Sequence, residues 1–248
     1  MREFGLIGYP LSHSFSKKYF QEKFIREGVA DTRYELFELE SLDKLSDLIH
    51  SRPDLKGLNV TIPYKQKVMT FLEELSDEAA EIGAVNVIKI KEGKLVGHNT
   101  DYIGFRQSLV NWLGTERPAA LILGTGGASK AVEHALKKMG IEYRFVSRNA
   151  GNELLAYTYD ELNRKPEILE KYRLIINTTP LGTHPNTEVM PPIPLDAVTA
   201  KHKVYDLVYN PEKTFLMRSV EARGGLSKNG LEMLQLQAEA AWNIWNQS

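Results

Sequence analysis

The segment Leu121-Ile-Leu-Gly124-Thr125-Gly126-Gly127-Ala128-Ser129-Lys130 constrains this chain more than any other. The apolar run 119–123 reads as a short buried strand that ends in a glycine cluster, and residues 133–139 lie on the helix that follows. Glycines let a backbone turn tightly and approach a pyrophosphate closely. The next helix then presents its N-terminal N–H groups to that charge. Ser129 stands where the general fingerprint has its third glycine, and a small residue still packs there. Residues 142–146 read as the next strand, and 174–176 and 203–208 as further parallel strands. A strand–turn–helix–strand unit of this kind predicts a doubly wound, Rossmann-like nucleotide-binding domain. The bland alternative is an ordinary tight turn.

The second strand refines the ligand. NAD-binding units place an acidic residue about 20 positions on, at the end of that strand, for the ribose hydroxyls. Here the strand runs into Ser147-Arg148-Asn149, with no carboxylate. Alone, Arg148 reads as a solvated surface cation. Together with the missing carboxylate, its planar fork predicts a 2′-phosphate and therefore NADP.

The bulk numbers close off other classes. With 31 basic and 32 acidic side chains among 248 residues, the formal net charge is −1. That balance argues against nucleic acid or an anionic membrane surface as partner. The chain has no cysteine, which excludes thiolate catalysis and Cys-based zinc sites. The six histidines show no HxxxH or HExxH spacing, so no metal is expected. The start, MREFGLIGYP, is soon broken by Pro10 and does not read as a leader. No apolar run approaches a membrane span, so the expected location is the cytoplasm.

The first hundred residues alternate between two textures. Residues 4–8, 34–39 and 57–62 read as strands, and 14–27 and 41–50 as helices. Pro63 reads as the first residue of another helix, and Glu92-Gly93 as the turn of a hairpin between 85–90 and 94–98. The texture changes near Thr100, where a helix over 101–113 leads to a linker at 116–118. The fold class is α/β in two domains: a mixed α/β sandwich over 1–101, then the nucleotide-binding domain over 102–230. The final helix, 231–245, fits either domain.

The first domain carries polar residues in a suggestive pattern. Ser12 and Ser14 follow Pro10. Asn59 and Thr61 are two apart on a strand and share a face. Lys65 falls in the first turn of the helix expected after Pro63, where a cation opposes the helix dipole. Asn86 interrupts an apolar run and needs partners if buried. Each has a structural alternative: the serines, Thr100 or Asp101 as helix caps, Asn59 as a turn residue, Lys65 as a solvated amine. Jointly they suit a small polyhydroxylated carboxylic acid.

Taken in order, Pro10-Leu-Ser12-His-Ser14, Gly57-Leu-Asn59-Val-Thr61-Ile-Pro63-Tyr-Lys65, Gly83-Ala-Val-Asn86 and Gly97-His-Asn99-Thr-Asp101 resemble the shikimate dehydrogenase family. So do the Gly124 loop, Asn177-Thr-Thr-Pro-Leu-Gly182, Asp206-Leu-Val-Tyr209-Asn-Pro211 and Gly230-Leu-Glu-Met233-Leu-Gln-Leu-Gln237. The resemblance implies an NADP-dependent oxidoreductase that reduces 3-dehydroshikimate to shikimate, in aromatic amino-acid biosynthesis, as a monomer or homodimer. It implies that Lys65 and Asp101 are the catalytic pair, that Ser12 and Ser14 hold the substrate carboxylate, and that Asn59, Thr61, Asn86, Tyr209 and Gln237 surround the ring. It implies a cofactor lined by Gly124, Thr125, Gly126, Gly127, Ala128, Ser147, Arg148, Asn149, Thr178, Leu207 and Gly230. The last helix, 231–248, would complete the first domain, with the active site in the cleft between the two. The chain departs from the family pattern at Asn152, usually a second basic residue, and at Leu207, often methionine. Rival readings are an NAD-dependent quinate/shikimate dehydrogenase, against which Arg148 stands, and a non-catalytic ligand-binding module, against which the retained Lys65 and Asp101 stand. A folate-type methylene dehydrogenase shares the two-domain plan, but the Ser12, Ser14, Asn86 and Asp101 set does not suit a pterin.

Overall fold

The structure is a computed structural model that describes residues 1–11, 15–149 and 156–247. The chain divides into two compact units, Met1–Ile103 with Gln237–Ser248, and Gly104–Leu236.

The first unit is built on a mixed six-stranded sheet, in the order β2-β1-β3-β5-β6-β4. Its elements are β1 (Arg2–Gly8), α1 (Phe15–Arg26), β2 (Thr32–Glu38), α2 (Leu45–His50), β3 (Leu55–Val60), β4 (Glu74–Leu75), α3 (Asp77–Ile82), β5 (Val87–Lys91) and β6 (Lys94–His98). β1 pairs in parallel with β2 and β3, while β3, β5 and β6 run antiparallel. Side chains alternate across the strands, so each face buries its own core. Phe4 and Leu6 join Phe20, Phe24, Tyr34, Ala238, Ala241 and Trp245. Ile7 joins Leu42, Leu45, Leu58, Val68 and Ala79. The hairpin turn forms as expected, with Glu92 and Gly93 both at positive φ, 54° and 80°, as a two-residue turn of the twist-compatible type requires.

The expected helix after Pro63 is not there. Tyr64 N–H donates to the Thr61 carbonyl, and the Lys65 carbonyl accepts from Val85 N–H at 2.7 Å. That crosslink draws the backbone at Lys65 into a turn against the neighbouring segment. Only a short 3₁₀ helix, Lys67–Phe71, follows. Lys65 therefore sits in a turn and opposes no helix dipole.

α4 (Asp101–Leu113) leads from the first unit into the second. The second unit contains β7 (Ala120–Leu123), α5 (Gly127–Lys138), β8 (Tyr143–Ser147), β9 (Ala156–Thr158), α6 (Tyr159–Arg164), α7 (Ile168–Lys171), β10 (Leu174–Asn177), β11 (Lys203–Asp206), α8 (Phe215–Glu221) and β12 (Leu226–Asn229). Every strand pair is parallel. The order β12-β11-β10-β7-β8-β9 is the doubly wound order 3-2-1-4-5-6 read from β9. Its reversal point falls between β7 and β10, beside the glycine loop. α9 (Leu231–Asn246) begins in the second unit and ends in the first.

Candidate active site

In the first unit, four of the expected site residues, Lys65, Asn86, Asp101 and Gln237, meet on one hydrogen-bonded network. The Lys65 ammonium donates to Asp101 Oδ2 at 2.6 Å. Asp101 stands at the first position of α4, and its other oxygen accepts from Asn86 Nδ2 at 3.0 Å. The same Asn86 nitrogen lies 3.0 Å from Thr100 Oγ1 and 3.3 Å from Gln237 Oε1, while Asn86 Oδ1 accepts from Thr100 N–H at 2.6 Å. Asn86, Asp101 and Gln237 are buried and Lys65 is half-buried. An amide buried among apolar residues costs stability unless its groups are paired, and here Asn86 spends both ends on this network. Gln237 arrives on α9, so that helix supplies a side chain to the first unit's polar network.

Asn59, at 5 % exposure, lies beside it and points its nitrogen at the Asn86 carbonyl. Thr61 is half-buried, its N–H bonded to the Ile7 carbonyl. Ser12 and Ser14 lie outside the described residues. The capping alternative for Thr100 and Asp101 fails, because Asn99 Oδ1 accepts from Tyr102 N–H and caps α4. Thr100, fully buried against Asn86 and Gln237, is a site residue that sequence reasoning missed. The signal was a run of three polar residues, Asn99 to Asp101, between an apolar hairpin and a helix.

In the second unit, the Gly124 loop runs from β7 into α5. Gly124 has φ +98°, and a Cβ there would meet Thr179 Cγ2 at 2.9 Å, so only glycine passes this point without strain. Space opens at Gly126 and Gly127, where an added Cβ would meet nothing within 4 Å. The first turn of α5 carries no acidic residue, and its Gly126 cap makes no side-chain hydrogen bond. Ser129 Oγ is turned inward to the Gly126 carbonyl at 2.6 Å. Thr125 is exposed and Ala128 half-buried at the same turn. Loop and helix together form an open cradle of N–H donors suited to a pyrophosphate.

Thr178 closes the reversal point, its hydroxyl and its N–H both donating to the Leu123 carbonyl. Gly230 packs so closely that a Cβ would lie 2.1 Å from the Leu207 carbonyl oxygen. Ser147 donates to the Asn149 carbonyl, which shapes the turn from which Arg148 projects, exposed and without an ion pair among the described residues. Tyr209 is partly exposed after β11. Asn152 lies outside the described residues.

Comparison with known proteins identifies the family. Residues 6–88 match the family described as shikimate dehydrogenase substrate binding domain. A Clostridium beijerinckii protein named shikimate dehydrogenase (NADP(+)) is 39 % identical, with 100 % of this chain and 93 % of that protein covered. The chain belongs to the shikimate dehydrogenase family. Among solved structures, a chorismate mutase/shikimate 5-dehydrogenase fusion protein from Clostridium acetobutylicum superposes with a TM-score of 0.87 at 37 % identity, over 99 % of this chain and 91 % of the other. The Thermus thermophilus shikimate 5-dehydrogenase in complex with NADP(H) and shikimate gives 0.86 at 29 % identity, over 99 % and 94 %. The chain is thus of the α/β class that pairs a substrate-binding domain with a Rossmann-like one.

One buried group of this shikimate dehydrogenase family member was overlooked from sequence. Asp206, at the end of β11, is fully buried and accepts from Asn177 Nδ2, Val208 N–H and Thr214 Oγ1. Burial raises its pKa from 3.8 to about 6, against these three donors. The native state therefore holds this proton more tightly than the unfolded chain does. The resulting stabilisation is present at low pH and is lost as pH rises through about 6. The displacement corresponds to about 3 kcal/mol. Relative to Asp206→Asn, the wild type is expected to lose stability by that order between about pH 4 and pH 7. Urea midpoints for both proteins across this range check it; parallel curves would contradict the buried carboxylate.

No helix among the described residues is long and apolar enough to cross a membrane.

Proposed function

We propose that this chain is an NADP-dependent oxidoreductase acting on a CH–OH group, catalysing the reversible reduction of 3-dehydroshikimate to shikimate in the cytoplasm. The observation that carries the reading is the Lys65–Asp101 pair at 2.6 Å, held by Asn86 inside a buried polar network.

NADPH, when bound, supplies the hydride. The protein's part is to place and charge the groups around the ketone. As the carbonyl carbon gains the hydride, negative charge builds on its oxygen. The Lys65 ammonium hydrogen-bonds that oxygen, stabilises the charge and delivers the proton that completes the alcohol. Asp101 accepts a hydrogen bond from the ammonium, which fixes its direction. Asn86 holds the carboxylate from its far side. In the reverse direction, neutral Lys65 takes the hydroxyl proton. Asn59, Thr61, Asn86, Tyr209 and Gln237 are assigned to the ring and its hydroxyls, and Ser12 and Ser14 to its carboxylate. The N–H cradle over Gly124, Thr125, Gly126, Gly127 and Ala128 is assigned to the pyrophosphate, and Thr178, Leu207 and Gly230 to the nicotinamide side. Ser147, Arg148 and Asn149 are assigned to the 2′-phosphate.

Steady-state kinetics with shikimate and quinate, each against NADP and NAD, test the proposal. Turnover is expected to be fastest with shikimate and NADP, and its absence would refute the reading. Arg148→Ala is expected to raise the KM for NADPH by about tenfold or more, the effect of losing one charge-assisted contact. It should leave the KM for NADH nearly unchanged. Equal losses with both cofactors would remove the 2′-phosphate assignment.

A further inference from the structure

Asn59 is held from two sides, and the two sides agree. On one side stands Tyr34 of β2, 1 % exposed, whose hydroxyl donates to Asn59 Oδ1 at 2.7 Å. The ring is clamped by a stack on Phe20, with centroids 4.6 Å apart and planes 14° from parallel. Burial holds the Tyr34 phenol far above its ordinary range, with Ser16 opposing this only in part. It therefore remains an O–H donor at any working pH. On the other side is the Asn86 carbonyl, which accepts from Val60 N–H at 2.8 Å and from Asn59 Nδ2 at 3.4 Å.

A carbonyl carries no proton, so the amide edge that faces it must be the nitrogen. The opposite edge, the oxygen, is then the one that faces the Tyr34 hydroxyl, which donates to it. The Asn59 carboxamide is thus fixed in one of its two orientations, with its oxygen capped. A primary amide has two N–H donors, and one is spent on Asn86. The second N–H has no partner among the described residues.

We propose that Tyr34 is a positioning residue for ligand recognition: by capping Asn59 Oδ1, it makes Asn59 a hydrogen-bond donor to an acceptor oxygen of the hydroxylated ring. This rests on the function proposed above and sharpens it. Without the phenol, the buried amide oxygen loses its donor and only the long 3.4 Å bond to the Asn86 carbonyl holds the side chain, so the free N–H is no longer aimed in one direction.

The test is a double-mutant cycle read in steady-state kinetics with shikimate and NADP. Tyr34→Phe keeps the stack on Phe20 and removes only the hydroxyl. It is expected to raise the KM for shikimate by about tenfold, the weight of one hydrogen bond to a buried group. Its kcat should change by less than about twofold, and the KM for NADP should not move, because no chemical step or cofactor contact is lost. In an Asn59→Ala background, Tyr34→Phe should have no further effect on KM. A KM unchanged by Tyr34→Phe, or the same increase in both backgrounds, would show that Tyr34 acts by packing alone. Asn59→Asp supplies a second test, since it keeps an oxygen for Tyr34 but has no N–H. It should weaken shikimate at least as much as Asn59→Ala, and wild-type affinity would overturn the donor assignment. An inactive wild type would overturn the proposed function and this inference with it. An active wild type insensitive at Tyr34 overturns this inference alone.

Discussion

Lys65→Met is expected to lower kcat by about 10²–10⁴-fold, the range for losing a positioned general acid, while the KM for shikimate changes only modestly. Methionine reproduces the reach of the lysine stem but neither its charge nor its proton. The loss should fall on kcat because the ammonium's partner, the carbonyl oxygen, becomes strongly basic only as hydride arrives. Asp101 would keep its bond from Asn86 Nδ2, so the network should hold its shape. The expectation is checked by measuring kcat and KM in both directions alongside cofactor binding. Near-wild-type turnover would remove Lys65 from the chemistry.

Trp245→Ala is expected to destabilise the first unit by about 3–5 kcal/mol, the cost of deleting a large buried ring. Trp245 stacks on Phe4 with centroids 4.8 Å apart, and its indole N–H donates to the Ile88 carbonyl at 3.0 Å. It also fills the space that the missing side chain of Gly57 leaves, where a Cβ would come within 2.2 Å of the indole nitrogen. The ring thus anchors α9 about two turns beyond Gln237, so a loosened helix should also raise the KM for shikimate. Trp245→Phe should cost less, because the stack survives and one hydrogen bond of about 1 kcal/mol is lost. Urea unfolding with shikimate kinetics on the same preparations checks both. A loss from Trp245→Ala below about 1 kcal/mol would mean that the helix is held elsewhere.

The sequence was most legible where the chain had to bend in a way few residues allow. Gly124, Gly126 and Gly127 marked the turn from β7 into α5, and Glu92-Gly93 marked the hairpin. α1 and α9 were visible from helical spacing. Short polar elements were not. β12, Leu-Ser-Lys-Asn, lies at a sheet edge and pairs only with β11, so it needs no apolar run. β4 has two residues and no pattern to read. Pro63 misled because a proline starts turns as readily as helices, and the deciding bond, Val85 N–H to the Lys65 carbonyl, joins segments 20 residues apart. The candidate site divides in the same way. Asn86 announced itself as an amide in an apolar run. Nothing local paired Lys65 with Asp101, 36 residues away; that pairing came from the family resemblance. Tyr34 looked like an ordinary strand aromatic, since its hydroxyl partner lies on another strand. Asp206 looked like a strand end, since its three donors come from three segments.

α9 has a consequence for synthesis. The second unit is one continuous stretch, Gly104–Leu236, but the first is discontinuous and requires Gln237–Ser248. On a ribosome, residues 1–103 emerge before the second unit, yet Phe4, Phe20 and Tyr34 cannot complete their burial until Ala238, Ala241 and Trp245 appear. The unit translated second can close before the unit translated first. For that interval the nascent chain carries an uncovered aromatic face on its N-terminal part, the kind of surface that chaperones bind and that misassembles when they do not.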